Sequence, residues 1–158
     1  MNSQDLMKLQ NGSDVRGIAV EGVVDEHVNL TCEACNKIGQ GFIKWLSEKT
    51  GKSANDLKIG VGRDSRVSGP ALEEAVIKGM VSTGASVVRC GLATTPSMFM
   101  SIVFEQTKFD GSIEITASHL PFNRNGLKFF DKDGGLEHDD ITSILEKASS
   151  VEEKDVDI

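Results

Sequence analysis

The sequence predicts a three-layer α/β/α domain built on a mixed, mostly parallel sheet. Segments of helical period alternate with short β-branched runs from one end of the chain to the other. The strand–helix–strand connections are long enough for right-handed crossovers, which set successive strands parallel. Hydrophobic residues make up 39% and charged residues 26% of 158 positions, material for one ordinary core.

Taken in order, Val15 to Val20 reads as a strand after the polar turn Asn11-Gly12-Ser13-Asp14. A helix follows from about Thr31 to Lys49. Leu30, Ala34, Ile38, Phe42 and Leu46 recur every four residues as its buried stripe, Thr31 is its N-cap and Gly51 lies just past its end. Leu57 to Val61 is a strand, and the turn-rich Gly62–Ser68 leads into a helix. Ser68 caps that helix, Pro70 sits in its first turn, Leu72, Val76 and Met80 point inward, and it stops near Gly84. Ser86 to Arg89 is a strand, and Thr95-Pro96 opens a helix carrying Met98, Ile102 and Val103. Gly111 to Thr116 and Leu127 to Phe130 are strands, and the short connection between them allows an antiparallel pair. Asp139 is expected to cap a last helix with Ile141, Ile144 and Leu145 inward.

Charge excludes some partners. The chain carries −7, yet residues 1–130 hold 14 basic and 14 acidic side chains while residues 131–158 hold 3 and 10. A neutral body with an acidic tail has no footprint for nucleic acid or an anionic membrane. No apolar run approaches the ~18 residues of a membrane span, and Met1-Asn2-Ser3-Gln4-Asp5 is unlike a signal peptide. Three cysteines make no disulfide framework, so a reduced, cytoplasmic domain is expected.

Three stretches could carry chemistry. Cys32 and Cys35 stand at a helix start, where a thiolate is stabilised, or they are two small apolar residues on one face. Gly60-Val61-Gly62-Arg63-Asp64-Ser65 imitates a dinucleotide turn, with Arg89 at the end of the next strand to meet a 2′-phosphate, although Ser65 replaces the third glycine. The richest is Thr116-Ala117-Ser118-His119-Leu120-Pro121, with Lys128 ten residues beyond the serine. A hydroxyl, an imidazole and an ammonium suit phosphoryl transfer, which needs cations around the phosphate oxygens; Arg16, Arg63, Arg66 and Arg124 are further candidates. The same Ser-His pair also reads as ordinary turn chemistry. The three histidines show no ligand spacing for a protein-only metal site.

Thr116–Pro121 followed by Asn125-Gly126-Leu127-Lys128 resembles the phosphoserine loop of the α-D-phosphohexomutases, which include phosphoglucomutases, phosphomannomutases and phosphoglucosamine mutases. Gly12-Ser13-Asp14-Val15-Arg16-Gly17, Gly62–Gly69 and Thr94-Thr95-Pro96 fall in family order around it. The resemblance covers residues 11 to 148 and implies the first of four domains. Residues 1–10 then read as an N-terminal extension, and residues 149–158 as a linker or the start of the next domain.

That resemblance implies roles. Ser118 carries the phosphoryl group and His119 assists proton transfer or orients the serine. Lys128 is a cationic, potentially acid–base, group near the phosphate, and Arg16 approaches the same phosphate. The Gly62–Gly69 turn holds the loop and the neighbouring domain. The implied reaction interconverts hexose 1-phosphate and hexose 6-phosphate through a hexose 1,6-bisphosphate. The implied Mg2+ is shared between phospho-Ser118 and another domain, and the remaining mutase domains are partners. Leu120 stands where the family usually has Asn. No Asp-Gly-Asp-Gly-Asp-Arg metal loop is present, and Glu137-His138-Asp139-Asp140 reads as helix-start charge. The chain by itself is expected to be inactive. Two alternatives remain: a non-catalytic phosphosugar-binding or regulatory domain of this fold, and a nucleotide-binding oxidoreductase domain using Gly60, Gly62 and Arg89.

Overall fold

Helix α1 (Ser3–Met7) and the short strand β1 (Gln10–Asn11) begin the computed structural model, which describes residues 3–158. Both are too short for a periodic signal. Even so, Leu6 and Leu9 are fully buried in the main core, so these residues belong to the domain and are not an appended extension. Gly12, at φ +60, turns β1 back onto β2 (Asp14–Ile18), and the two pair antiparallel.

Helix α2 (Cys32–Thr50) follows the expected stripe: Leu30, Ala34, Ile38, Phe42 and Leu46 are all at 0% exposure. The Ala34 N–H donates to Thr31 Oγ1 at 3.0 Å, and Gly51 closes the helix in the left-handed region. After a 3-10 turn at Ala54–Asp56 come β3 (Lys58–Arg63), α3 (Gly69–Ser82), β4 (Ser86–Leu92) and α4 (Thr95–Val103), the last with a Thr94/Ser97 capping box. β5 (Gly111–Ile115), β6 (Arg124–Asp131), β7 (Gly134–Gly135) and α5 (His138–Ala148) complete the chain.

Two caps differ from expectation. The Ser68 side chain makes no capping bond to α3, because its Oγ accepts from Asn125 Nδ2 at 2.7 Å. At α5 the cap is Glu137, whose N–H donates to Asp140 Oδ2 at 2.8 Å, and Asp139 lies inside the first turn.

The sheet runs β1-β2-β6-β5-β3-β4, with β7 beside β6. It is mixed as expected, but only β4-β3-β5 are parallel, and the β1–β2, β2–β6, β5–β6 and β6–β7 pairings are antiparallel. The cause is the short return from β5 to β6 and the N-terminal hairpin added beyond it. Helices α1, α2, α3 and α5 pack with one face of the sheet around Phe42, whose ring lies 5.0 Å from that of Phe129. Helix α4 covers the other face over a small cluster of Met98, Ile102, Phe109 and Phe130. The acidic C-terminal residues run along α2 and α3: Gln40 Nε2 donates to Glu152 O and Asn36 Nδ2 to Lys154 O. Among the described residues, no helix is long and apolar enough to cross a membrane.

Candidate active site

The connection from β5 to β6 is short, so its backbone polar groups need partners from elsewhere in the chain. Thr116 begins it, donating its hydroxyl to Asp64 Oδ2 at 2.7 Å and accepting the Ser118 N–H at 2.9 Å. The Leu120 N–H donates to Ala117 O and closes a turn. Between them Ser118 is held at φ +55, a left-handed conformation that costs a non-glycine residue on the order of 1–2 kcal/mol. One side chain offsets this. The Arg66 guanidinium donates to four carbonyls of the connection: Ser118 O at 3.1 Å, Leu120 O at 2.8 Å, Pro121 O at 2.7 Å and Arg124 O at 3.0 Å. Leu120 joins through its backbone, which any residue supplies, so the departure from Asn leaves these bonds unchanged. Ser118 and His119 are exposed at the tip, with His119 Nδ1 3.4 Å from Ser118 Oγ.

Two cations approach this loop along the sheet. Arg16 of β2 donates to Ala117 O at 3.1 Å, next to Ser118 in the chain, and pairs with Asp14 Oδ2 at 3.3 Å. The other Asp14 oxygen accepts from Lys128 Nζ of β6 at 3.0 Å. One half-buried carboxylate therefore gathers both cations. Gly126 allows this closeness, since a Cβ there would stand 2.4 Å from Val15 O and 2.9 Å from Thr116 O. The other arginines are engaged elsewhere. Arg66 holds the loop, Arg63 pairs with Glu73 at 3.1 Å, and Arg124 pairs with Glu26 at 2.6 Å. Hydrogen bonds from Asn123 and then Arg124 hold the Glu26 carboxyl below the usual carboxylate range.

A family model described as Phosphoglucomutase/phosphomannomutase, alpha/beta/alpha domain I matches residues 7–155. The chain belongs to this family. It is 36% identical over 150 residues to a phosphoglucosamine mutase of Lactobacillus acidophilus, an alignment covering 94% of this chain and 30% of that protein. A phosphoglucosamine mutase of Lactobacillus helveticus is 35% identical over 144 residues, 90% of this chain and 29% of that one. A crystal structure of a phosphoglucomutase/phosphomannomutase family protein from Burkholderia thailandensis shares the fold with a TM-score of 0.73 at 24% identity, covering 94% of this chain and 30% of that one. The chain thus spans about 30% of the curated relatives it matches.

Within this domain I the other two sequence candidates serve packing. A Cβ on Gly60 would meet the Phe109 ring at 2.5 Å, and one on Gly62 would meet Met98 Sδ at 2.7 Å and Ala93 Cβ at 2.8 Å. Both glycines let α4 and its flanking residues lie close on β3, and Arg89 is paired with Glu73 at 2.7 Å. The dinucleotide-turn expectation fails on those contacts. The Cys35 thiol is fully buried, and burial pushes it and the Cys32 thiol upward, opposite to a reactive thiolate. Among the described residues no three His, Cys, Asp or Glu side chains gather as a metal site requires.

Two residues of this face escaped the sequence reading, Asp14 and Glu114. Asp14 lies two residues before Arg16, so alternation along a strand puts both on one face. Glu114 sits inside an otherwise apolar strand and is 1% exposed. A charged residue in such a run is itself a signal.

Proposed function

We propose that the protein carrying this domain is a phosphohexomutase that interconverts hexose 1-phosphate and hexose 6-phosphate. Ser118 holds the phosphoryl group between half-reactions, and hexose 1,6-bisphosphate is the intermediate and activator. The observation that supports this reading is the Ser118 loop itself, an exposed hydroxyl on a backbone clamped by Arg66 and Asp64, with Arg16 bonded to the neighbouring carbonyl.

In one half-reaction the sugar hydroxyl attacks phosphorus and the Oγ–P bond of phospho-Ser118 breaks. The hydroxyl proton leaves, and the serine oxygen gains one. His119, within 3.4 Å of that oxygen, is placed to orient it or carry its proton. Arg16 and Lys128, both held by Asp14, supply positive charge for a phosphate, and in this arrangement Lys128 serves as a cation. The reverse transfer from the bisphosphate restores phospho-Ser118. For Mg2+ the fitting ligand among the described residues would be a phosphate oxygen on exposed Ser118, and in this reading carboxylates of another domain would complete the site. When bound, the ion would add charge neutralisation at the phosphate. The remaining mutase domains and a hexose phosphate are the partners of this reading, and its setting is cytoplasmic.

The test is Ser118→Ala in the full-length protein, with phosphopeptide mass spectrometry of the wild type. Phosphate on Ser118 and a loss of mutase turnover on the order of 10³-fold or more are expected. Near-wild-type turnover overturns the assignment. Binding of hexose phosphate without phosphoserine, weakened by Lys128→Ala and Arg16→Ala, favours instead the non-catalytic phosphosugar-binding domain.

A further inference from the structure

On the α4 face of the sheet, register lines up a row of groups across four strands. Lys128 of β6 is the Cα partner of Glu114 of β5, and Glu114 is the Cα partner of Gly62 of β3. On the opposite side of Lys128 stands Asp14 of β2, one step along the register that pairs Val15 with Leu127. Directly opposed residues share a face and bring their side chains within reach of each other. In register, Lys128 thus lies between two carboxyl-bearing residues, with its ammonium on the Asp14 side. Asp14 holds it at 3.0 Å, whereas Glu114 is buried and its Oε2 has no hydrogen-bond partner. That oxygen lies over Gly62, where a Cβ would come within 3.0 Å of it.

A buried carboxyl oxygen without a partner is costly in its charged form, so the group stays protonated or finds a cation. The charged and titratable groups facing Glu114 are few. Asp64 at the end of β3 repels its charge, Cys90 of β4 is a second acidic neighbour, and α4 carries no ionisable residue. Burial, with Asp64 adding to it, pushes the Glu114 carboxyl up to about 8. Among the described residues, Lys128 is the cation opposed to it in register.

We propose that Glu114 is a second carboxyl partner for Lys128, a positioning residue that draws the ammonium across β6 away from Asp14 and Arg16 once Glu114 ionises. The exchange balances. Glu114 releases one proton to water, the Lys128–Asp14 pair opens, and a Lys128–Glu114 pair forms. Asp14 keeps Arg16. The loop side of the sheet then has one cation fewer, so anion binding beside Ser118 weakens on the alkaline side. The consequence for phosphate rests on the mutase reading above, while the exchange itself does not.

The experiment is a carboxyl 13C NMR titration of the 158-residue chain labelled in glutamate, with Glu114 assigned by Glu114→Gln. Its midpoint is expected to fall by about one pH unit or more in Asp14→Asn, where Lys128 has lost its other partner, and to rise in Lys128→Met. A midpoint that stays within about 0.2 unit of wild type in both variants overturns the proposal, and Lys128→Met decides it alone if Asp14→Asn does not fold. Mutase turnover in the full-length protein separates the two readings. Coupled titration with Ser118 never phosphorylated overturns the mutase reading and keeps this one, and an active mutase with an indifferent Glu114 does the reverse.

Discussion

The two faces of this sheet are made of different material. One carries α1, α2, α3 and α5 over a continuous apolar core that runs from Leu6 to Ala148. The other carries α4 over four buried apolar residues, and beside them stand Asp14, Arg16, Lys128 and Glu114. The first face can hold the domain together. That leaves the second free to keep charges at partial burial, an arrangement that a lone core could not support.

The sharpest way to break this comparison is to cut equal pieces from both faces. Phe42→Ala removes a fully buried ring among α2, Phe129 and Trp45 and should cost about 4 kcal/mol, whereas Phe109→Ala under α4 should cost about 2 kcal/mol. Urea unfolding measures both, and equal losses would mean that the α4 face bears as much of the fold as the other.

Next in size is the pH dependence of Glu114. Its folded-state carboxyl sits near 8, far above the usual carboxylate range, so the folded chain keeps a proton that the unfolded chain sheds. Stability from this group is therefore full in acid, declines as pH rises towards 8, and levels off above it. Glu114→Gln removes the decline. Its stability should match wild type near pH 5 and exceed it by about 3 kcal/mol near pH 9, read from thermal melts across pH. A constant offset at all pH values would place the effect in packing.

The smallest change sharpens the role of the clamp. Arg66→Lys replaces a planar fork that reaches four carbonyls by a single ammonium, and should cost about 2 kcal/mol. Proteolysis within residues 117–124 should accelerate, while Gln40 and Asn36 on the opposite layer keep the C-terminal residues in place.

Periodicity made the first face legible. The stripe from Leu30 to Leu46 has one register, set by helix geometry alone, and Thr31 and Gly51 cap it as expected. The Gly62–Gly69 turn was also readable as the loop's support, although Ser68 serves Asn125 and not its own helix. What stayed hidden depends on pairing between strands. That Asp14 collects Lys128 follows from the β2–β6 register, and that Glu114 faces Lys128 follows from β5–β6. Neither is written in local spacing. Helix α1 and strand β1 were missed because five and two residues carry no period.

The bonds that hold the Ser118 loop span the chain: Arg66 lies 52 positions from Ser118, Arg16 lies 101 from Ala117, and Asp14 lies 114 from Lys128. Long sequence separations close late in folding, because each must offset the entropy of the intervening chain. The left-handed backbone at Ser118 has local turn bonds at Thr116 and Ala117, but its bonds to Arg66 and Arg16 need segments distant in the chain to have come together. On a ribosome, the serine emerges before Lys128 and waits for the sheet to close. Under the mutase reading, a phosphoryl donor that recognises this loop by its shape meets that shape only on a finished domain, so the state of Ser118 would report on folding as well as on chemistry.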